Sequence, residues 1–140
     1  MKKLMELPLT LATVQAWHQP ALEELIKGHG DQPDAVLDFI GMHFTAEGTR
    51  LIVVVYHNLS TWEQGIPLPG FPSFELNLTR AEHLALAQQN QSFADLETAV
   101  RDAAWSLMTT HPKMLRGATP VEGQQDTRHN VFAAGALTEV

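Results

Sequence analysis

The stretch from residue 35 to residue 58 constrains the fold of this chain more than any other. It consists of AVLDFIGMHF, TAEGT and RLIVVVYHN, two runs rich in β-branched and aromatic residues around a short break. Such side chains suit a pleated, packed surface better than a helix, where β-branching restricts χ1. Glu47 and Gly48 supply the break, because Gly readily adopts the positive φ of a hairpin loop. We therefore predict a β-hairpin at the centre of the fold.

The two predicted strands lack the alternation of apolar and polar residues that a half-exposed hairpin shows. Val53 and Val54 point to opposite faces of the second strand, yet both are apolar. Strict alternation along the first strand places these residues on one face: Val36, Asp38, Ile40, Met42 and Phe44. Exposing one face would forgo about 1.5–3 kcal/mol for each large apolar side chain. We therefore predict that both faces are covered, by helices, by the C-terminal segment or by another subunit.

Apolar periodicity predicts helices on both sides of the hairpin. The segment from residue 7 to residue 27 has a helical stripe that Pro20 interrupts and that Gly28 ends. The segment 73–78 alternates apolar and polar residues, which predicts a short third strand. Two hydroxyl residues, Thr79 and Ser92, are each followed three positions later by an acidic residue, which is the spacing of a helix N-terminus.

The helix after Ser92 is predicted to be the longest in the chain. Its expected apolar stripe consists of Phe93, Leu96, Val100, Ala103 and Leu107. Together these elements predict an α+β fold, with a small, mostly antiparallel sheet built on the central hairpin. An N-terminal helix and the long C-terminal amphipathic helix pack against that sheet. The predicted single domain, 1–140, comprises a helical start (1–30), the hairpin (35–58), a Pro-rich arm and short strand (59–78), two helices (79–110) and an irregular tail with a possible last strand (111–140).

Composition excludes several classes of protein. At 140 residues and 44% hydrophobic, the chain is long and apolar enough for one domain with a core. Its net charge is −7 and its few Lys and Arg residues are scattered, so we predict no nucleic-acid partner. The absence of Cys excludes disulfides, thiolate nucleophiles and thiolate zinc sites, and favours a cytosolic origin.

The first residues resemble the start of a signal peptide only in their charge. Lys2 and Lys3 are basic, but Glu6 and Pro8 interrupt the apolar region that a signal peptide needs. No apolar run is long enough to span a bilayer. We therefore predict a protein that is cytoplasmic as synthesised and has no membrane partner.

The segment from residue 59 to residue 72 combines prolines with large apolar residues. Its three prolines exclude a helix and disfavour a central strand. Its apolar side chains either pin the loop to the core or form an arm that docks on a neighbouring protein. The arm interpretation, extended to the C-terminal segment 131–140, predicts partner contacts at Trp62, Ile66, Leu68, Phe71, Val131 and Phe132.

The sequence contains few candidates for catalytic or metal-binding residues. His43 and His57 lie near opposite ends of the hairpin, and the pair Asp126 and His129 supplies two ligands at most. No nucleophile elbow, phosphate-binding loop or dinucleotide fingerprint is present. Asp38 lies within an apolar strand, either as an acid of raised pKa or as a residue at a strand crossing or subunit contact. We predict no enzymatic activity, no cofactor and no metal.

The order of elements resembles a known family. A helix, an apolar hairpin containing VVVYHNL, an amphipathic helix with FADLETAVRDAAWSLM and a closing strand are similar to tail terminator and tail completion proteins of long-tailed phages. The matching residues are 51–59, 93–108 and 131–140, whereas the segment 60–91 departs from the pattern. The resemblance implies a small, non-enzymatic subunit that assembles by protein–protein contacts. It also implies a homo-oligomer or ring, in contact with neighbouring virion proteins and located in the virion.

The acidic composition supports a different class of function. An immunity or inhibitor-type protein would use an acidic face to block a basic toxin or nuclease. In that case the Pro-rich segment packs on its own domain and an acidic patch stays free, whereas an assembly subunit uses the segment as a docking arm.

Overall fold

A computed structural model describes residues 2–17, 20–68, 74–90, 92–110 and 125–140, except for the side chains of Phe74 and Phe93. The elements in chain order are β1 (Lys3–Glu6), α1 (Leu11–Trp17), α2 (Pro20–His29), β2 (Val36–Thr45), β3 (Gly48–Tyr56), α3 (Leu59–Glu63), β4 (Phe74–Thr79), α4 (Arg80–Gln89), α5 (Phe93–Thr110), α6 (His129–Ala133) and β5 (Ala136–Glu139).

The strands form one sheet in the order β4-β3-β2-β1-β5, with antiparallel neighbours throughout. This confirms the α+β class and the central hairpin. Gly48 closes the turn opposite Thr45 with a φ of 140°. A Cβ atom at Gly48 would clash with the backbone oxygen of Leu78, so glycine is required both for its conformation and for the close approach of β4.

A one-residue bulge after Phe39 changes which side chains of β2 share a face. Phe39 pairs with Val53, and Met42 pairs with Leu51, two residues before Val53 on the same face of β3. Met42 and Phe44 therefore lie on the same side as Phe39. The prediction that they share a face with Asp38 was wrong, because strict alternation does not allow for the extra residue.

Both faces of the sheet carry apolar clusters at the base of the hairpin. One face packs against α1, α2, α5 and α6 and forms the main core, which includes Val53. The other face holds Leu4, Val36, Val54 and Tyr56 under α3. Two-sided burial is thus confirmed at the base of the hairpin. It is wrong toward the tip, where Ile40 is 54% exposed.

Two short elements in the first half of the chain were not predicted. The segment 3–6 forms β1, which pairs with Leu37 in β2 and with residues 136–139 in β5. The start of the Pro-rich segment forms α3, although its prolines were expected to exclude a helix. These prolines all follow α3, and Asn58 caps it by accepting a hydrogen bond from the Thr61 N–H at 2.9 Å.

The C-terminal segment contains both a helix and the possible last strand. The strand is present as β5, and it closes the sheet against β1. Before it, α6 packs on α1, where the ring centroids of Trp17 and Phe132 lie 4.7 Å apart in an edge-to-face contact. This contact brings α1 and α6 together on one side of the core.

The long helix α5 begins where the sequence placed it, and its core-facing residues match the predicted stripe only in part: Leu96 and Leu107 pack against the core without being fully buried. Val100, Ala104, Trp105 and Met108 are buried, whereas Leu107 is only partly so. The Trp105 ring packs on Phe39 at 4.1 Å between centroids, and its Nε1 donates to the Lys3 carbonyl at 3.2 Å. The α5 helix therefore fixes β1 as well as β2.

Replacing Ser92 with Ala is expected to destabilise the chain by about 0.5–2 kcal/mol. The Ser92 Oγ accepts a hydrogen bond from the Asp95 N–H at 3.1 Å, and Ala leaves that N–H without its partner. Thermal unfolding measures the loss. Ser106→Ala, at an exposed position inside the same helix, is the matched control and should leave the melting temperature unchanged or slightly raised. If the two variants had the same melting temperature, Ser92 would not be the N-cap of α5.

Candidate functional site

The carboxylate of Asp38 is the centre of a charged cluster formed by four segments of the chain. Asp38 is 2% exposed and lies in β2 just before the bulge. Its Oδ2 receives the Lys2 ammonium at 2.8 Å and the indole N–H of Trp62 at 2.9 Å. Its Oδ1 lies 3.6 Å from Nη1 of Arg101 on α5. The cluster links the start of β1, the sheet, α3 and α5.

This arrangement identifies Asp38 as a residue at an internal crossing of elements. Two cations and one neutral donor offset the cost of burying its charge. Lys2 also lies over the Trp62 ring, 5.7 Å from its centroid. The Asp38 Oδ1 and the Arg101 Nη1 are both buried, and within the described part of the chain neither forms a hydrogen bond. The contacts come from the chain itself, which supports the crossing interpretation.

Tyr56 lies on the same face of the sheet as Asp38. Burial raises the pKa of its phenol above the ordinary value of 10.0, and the negative charge of Asp38 raises this pKa further. Because the folded-state pKa is the higher one, the stability linked to this proton is fully present below the unfolded-state pKa. It is lost as the pH rises through the folded-state pKa.

We expect the tyrosinate absorbance of the folded chain to appear at a higher pH than that of the urea-unfolded chain. Tyr56 is the single tyrosine, so the signal belongs to it alone. Stability should also fall as the pH rises above about 10, and Tyr56→Phe should lessen that fall. A titration that coincides in the folded and unfolded chains would contradict this prediction.

The structure places the six predicted contact residues in different environments. The Trp62 side chain is half-buried and hydrogen-bonded to Asp38, whereas Ile66 is exposed. Phe71 lies outside the described residues. Three are buried in the main core of their own chain: Leu68, Val131 and Phe132. We therefore do not assign those three to a contact with another chain.

The histidines that the structure describes form no metal-binding group. Within the described residues, no group of three or more His, Cys, Asp or Glu side chains is close enough to hold a metal ion. The Nδ1 of His57 lies 2.8 Å from the side-chain oxygen of Gln32, so it joins the end of β3 to the loop before β2.

A surface that the sequence analysis missed lies on α4. This helix of ten residues has no buried residue, and Leu84 is 45% exposed. We define the α4 stripe as the exposed residues at helical spacing along it: Arg80, Ala81, Leu84, Ala85 and Gln88. The weak apolar periodicity of this segment was the available signal, because its leucines are divided between the core, which Leu86 contacts, and the exposed side, where Leu84 lies.

Two contacts hold α4 in place beside the hairpin tip. The Thr49 Oγ1 and the His83 Nδ1 lie 2.7 Å apart, and the Thr49 side chain is buried. The Arg80 Nη1 donates to the Ala46 carbonyl at 2.6 Å. The α4 stripe is therefore presented from a fixed position, with Arg80 next to the tip.

A second missed surface lies at the opposite end of the hairpin, where two grooves adjoin. The acidic groove, of about 560 Å³, is lined by Glu6 and Asp34 together with Pro8, Ser60 and Ala136 among others, and no described Lys or Arg lines it. The apolar groove, of about 610 Å³, lies between α1 and α6 and has no charged residue in its described lining. The two share Leu7, Pro8 and Ala134.

Backbone hydrogen bonds join the chain segments that border the grooves. The Leu7 N–H donates to the Ala35 carbonyl at 3.0 Å. Leu9 and Gln32 exchange two backbone hydrogen bonds, each of 2.8 Å. The grooves are thus formed by segments already tied together, so little ordering would be required when a partner binds.

No protein family, curated protein or solved structure matches this chain. The surfaces described above are therefore the basis for its functional interpretation.

No helix within the described ranges is both long and apolar enough to cross a membrane.

Proposed function

We propose that this chain is a non-enzymatic assembly subunit, of the phage tail terminator or tail completion kind, that acts through protein–protein contacts. The observation that carries the proposal is the α4 stripe. Leu86 on the inner side of α4 packs against the main core, whereas Leu84 on the outer side is 45% exposed and lies between alanines that are also exposed. Apolar surface with a polar rim is typical of interaction sites. A subunit of this kind is cytoplasmic as synthesised and becomes part of the virion.

The positions of the two surfaces support a ring. The α4 stripe begins beside the hairpin tip, where Thr79 pairs with Gly48, and the grooves lie at the other end, beside Glu6 and Val36. Different patches at opposite ends of a subunit allow head-to-tail contacts, and such contacts form a ring when the rotation closes. A two-fold dimer would instead require one self-complementary patch.

Sedimentation velocity over a wide concentration range tests the proposal. We expect the chain to form a closed oligomer of defined size, visible as rings by electron microscopy. Continued growth of the species with concentration would indicate open filaments instead of a ring. A chain that stays monomeric at the highest soluble concentration would refute the assembly function.

A second function, an acidic inhibitor of a basic toxin or nuclease, is favoured by two observations. Trp62 is bound to its own domain through Asp38, and Glu6 and Asp34 form an acidic groove without a described cation. The test is a 1:1 complex between the monomer and a basic toxin or nuclease. The complex should weaken with salt and with the charge-neutral variants Glu6→Gln and Asp34→Asn.

A further inference from the structure

We propose that the α4 stripe of one copy docks in the joined acidic and apolar grooves of the next copy. This inference rests on the proposed assembly function and specifies the two surfaces that carry it. It commits to a second copy of this chain as the occupant of the grooves, and it predicts a head-to-tail contact.

The charges of the two surfaces are complementary. Arg80 is the only charged residue of the α4 stripe, and it makes no ion pair within the described part of the chain. Glu6 and Asp34 are exposed carboxylates, and the ion pairs of the described residues include neither. A guanidinium placed between these two carboxylates would form charge-assisted hydrogen bonds.

The apolar parts are also complementary in size. Leu84 lies one helical turn after Arg80, so a helix with Arg80 in the acidic groove carries Leu84 toward the apolar groove. The walls of that groove include Ala12, Ala16 and Ala134. Small residues let a second helix approach closely, and Ala81 and Ala85 on the stripe add no bulk.

Net charge argues for a contact between unlike patches. At −7, two copies repel each other wherever similar surfaces meet. The stripe and the acidic groove offer a pairing in which unlike charges meet directly. Such electrostatic matching sets the orientation of the partners and suppresses association in other orientations.

Charge reversal tests the proposed pairing. Arg80→Glu, and separately Glu6→Arg, should each weaken self-association by about tenfold or more, which is the usual effect of losing a hydrogen bond to a charged group. The double variant, with both changes in every copy, should recover most of the loss. Lys27→Glu, on the exposed face of α2, makes the same change in net charge as Arg80→Glu and should leave association unchanged. Thermal melts of each variant verify folding.

Mixing two blocked variants tests the head-to-tail geometry. Leu84→Asp blocks the stripe and Ala12→Trp fills the apolar groove, so each variant alone should be monomeric. An equimolar mixture should form a 1:1 heterodimer and nothing larger, because one intact stripe and one intact groove remain. Gln88→Asp, at the far end of the stripe from Arg80, serves as a second stripe variant if Leu84→Asp does not fold.

The outcomes distinguish this inference from the proposed function. If the unmodified chain stays monomeric, both fail together. If it forms rings that none of these substitutions weakens, the assembly function stands and the docking of α4 in the grooves is refuted. Mixtures that stay monomeric although each parent variant lost association would also refute it, since they indicate a self-complementary contact.

Discussion

Replacing either Val53 or Val54 with Asp is expected to destabilise the chain by more than about 4 kcal/mol. The two side chains lie on opposite faces of β3, and both are buried, Val53 in the main core and Val54 under α3. An Asp at position 53 places a charge among apolar side chains, and an Asp at position 54 places a second carboxylate directly across from the buried Asp38. The free energy of burying such a charge exceeds that of most other substitutions.

Urea unfolding followed by circular dichroism measures both variants, and Ile40→Asp is the control. Ile40 lies in the neighbouring strand at the bulge and is mostly exposed, so Asp there should change the free energy of unfolding by about 0.5 kcal/mol or less. If Val54→Asp behaved like Ile40→Asp, then α3 would not cover its face of the sheet in solution.

The second large effect is expected at Asp38. Asp38→Ala should destabilise the chain by about 3 kcal/mol, because it takes away the carboxylate beside the buried Nη1 of Arg101 and the acceptor of the Trp62 indole. Arg101 then keeps only its ion pair with Glu97, which its Nε makes at 3.4 Å. This loss of stability is at the lower end of the range for a broken buried ion pair, because Lys2 keeps part of its side chain in water. Differential scanning calorimetry measures the loss.

A double variant separates the charge from the packing. Asp38→Leu combined with Arg101→Met should recover much of the lost stability, because the two charges that then lack a partner, Lys2 and Glu97, both reach water. Asp102→Ala, which removes a half-exposed partner of Lys3, should change stability by less than about 1 kcal/mol. Should Asp38→Ala prove as mild as Asp102→Ala, the cluster would contribute nothing to the fold.

The apolar residues that are conspicuous in the sequence are not the ones that the fold leaves available for docking. The apolar residues that stood out in the sequence were mostly those that the chain uses itself, such as Leu68 and Phe132 in the core. Among the surfaces that the described residues leave uncovered, the α4 stripe has one large apolar residue among small and polar ones. Such a contact surface is recognised from which of its side chains the rest of the folded chain covers. The periodicity of the sequence says little about that coverage.

The candidate site was only partly predictable. Asp38 stood out because a carboxylate within an apolar strand needs partners. Those partners are Lys2, Trp62 and Arg101, which are distant in the chain and supply no spacing pattern that points to Asp38. The grooves were not predicted at all, since they form where the ends of β1, β3 and α6 meet.

By itself the sequence determined the parts of this fold that local chemistry controls. The β-branched runs specified the hairpin, Gly48 its turn, and the hydroxyl–acid pairs at Thr79 and Ser92 the starts of α4 and α5. Only the tertiary structure decided the rest. The strands β1 and β5 are four residues long and depend on each other and on β2 for their hydrogen bonds. The bulge after Phe39 moves each later side chain of β2 to the face opposite the one that strict alternation predicts. Only the pairing with β3 shows the bulge, because an inserted residue leaves no signature in the sequence alternation.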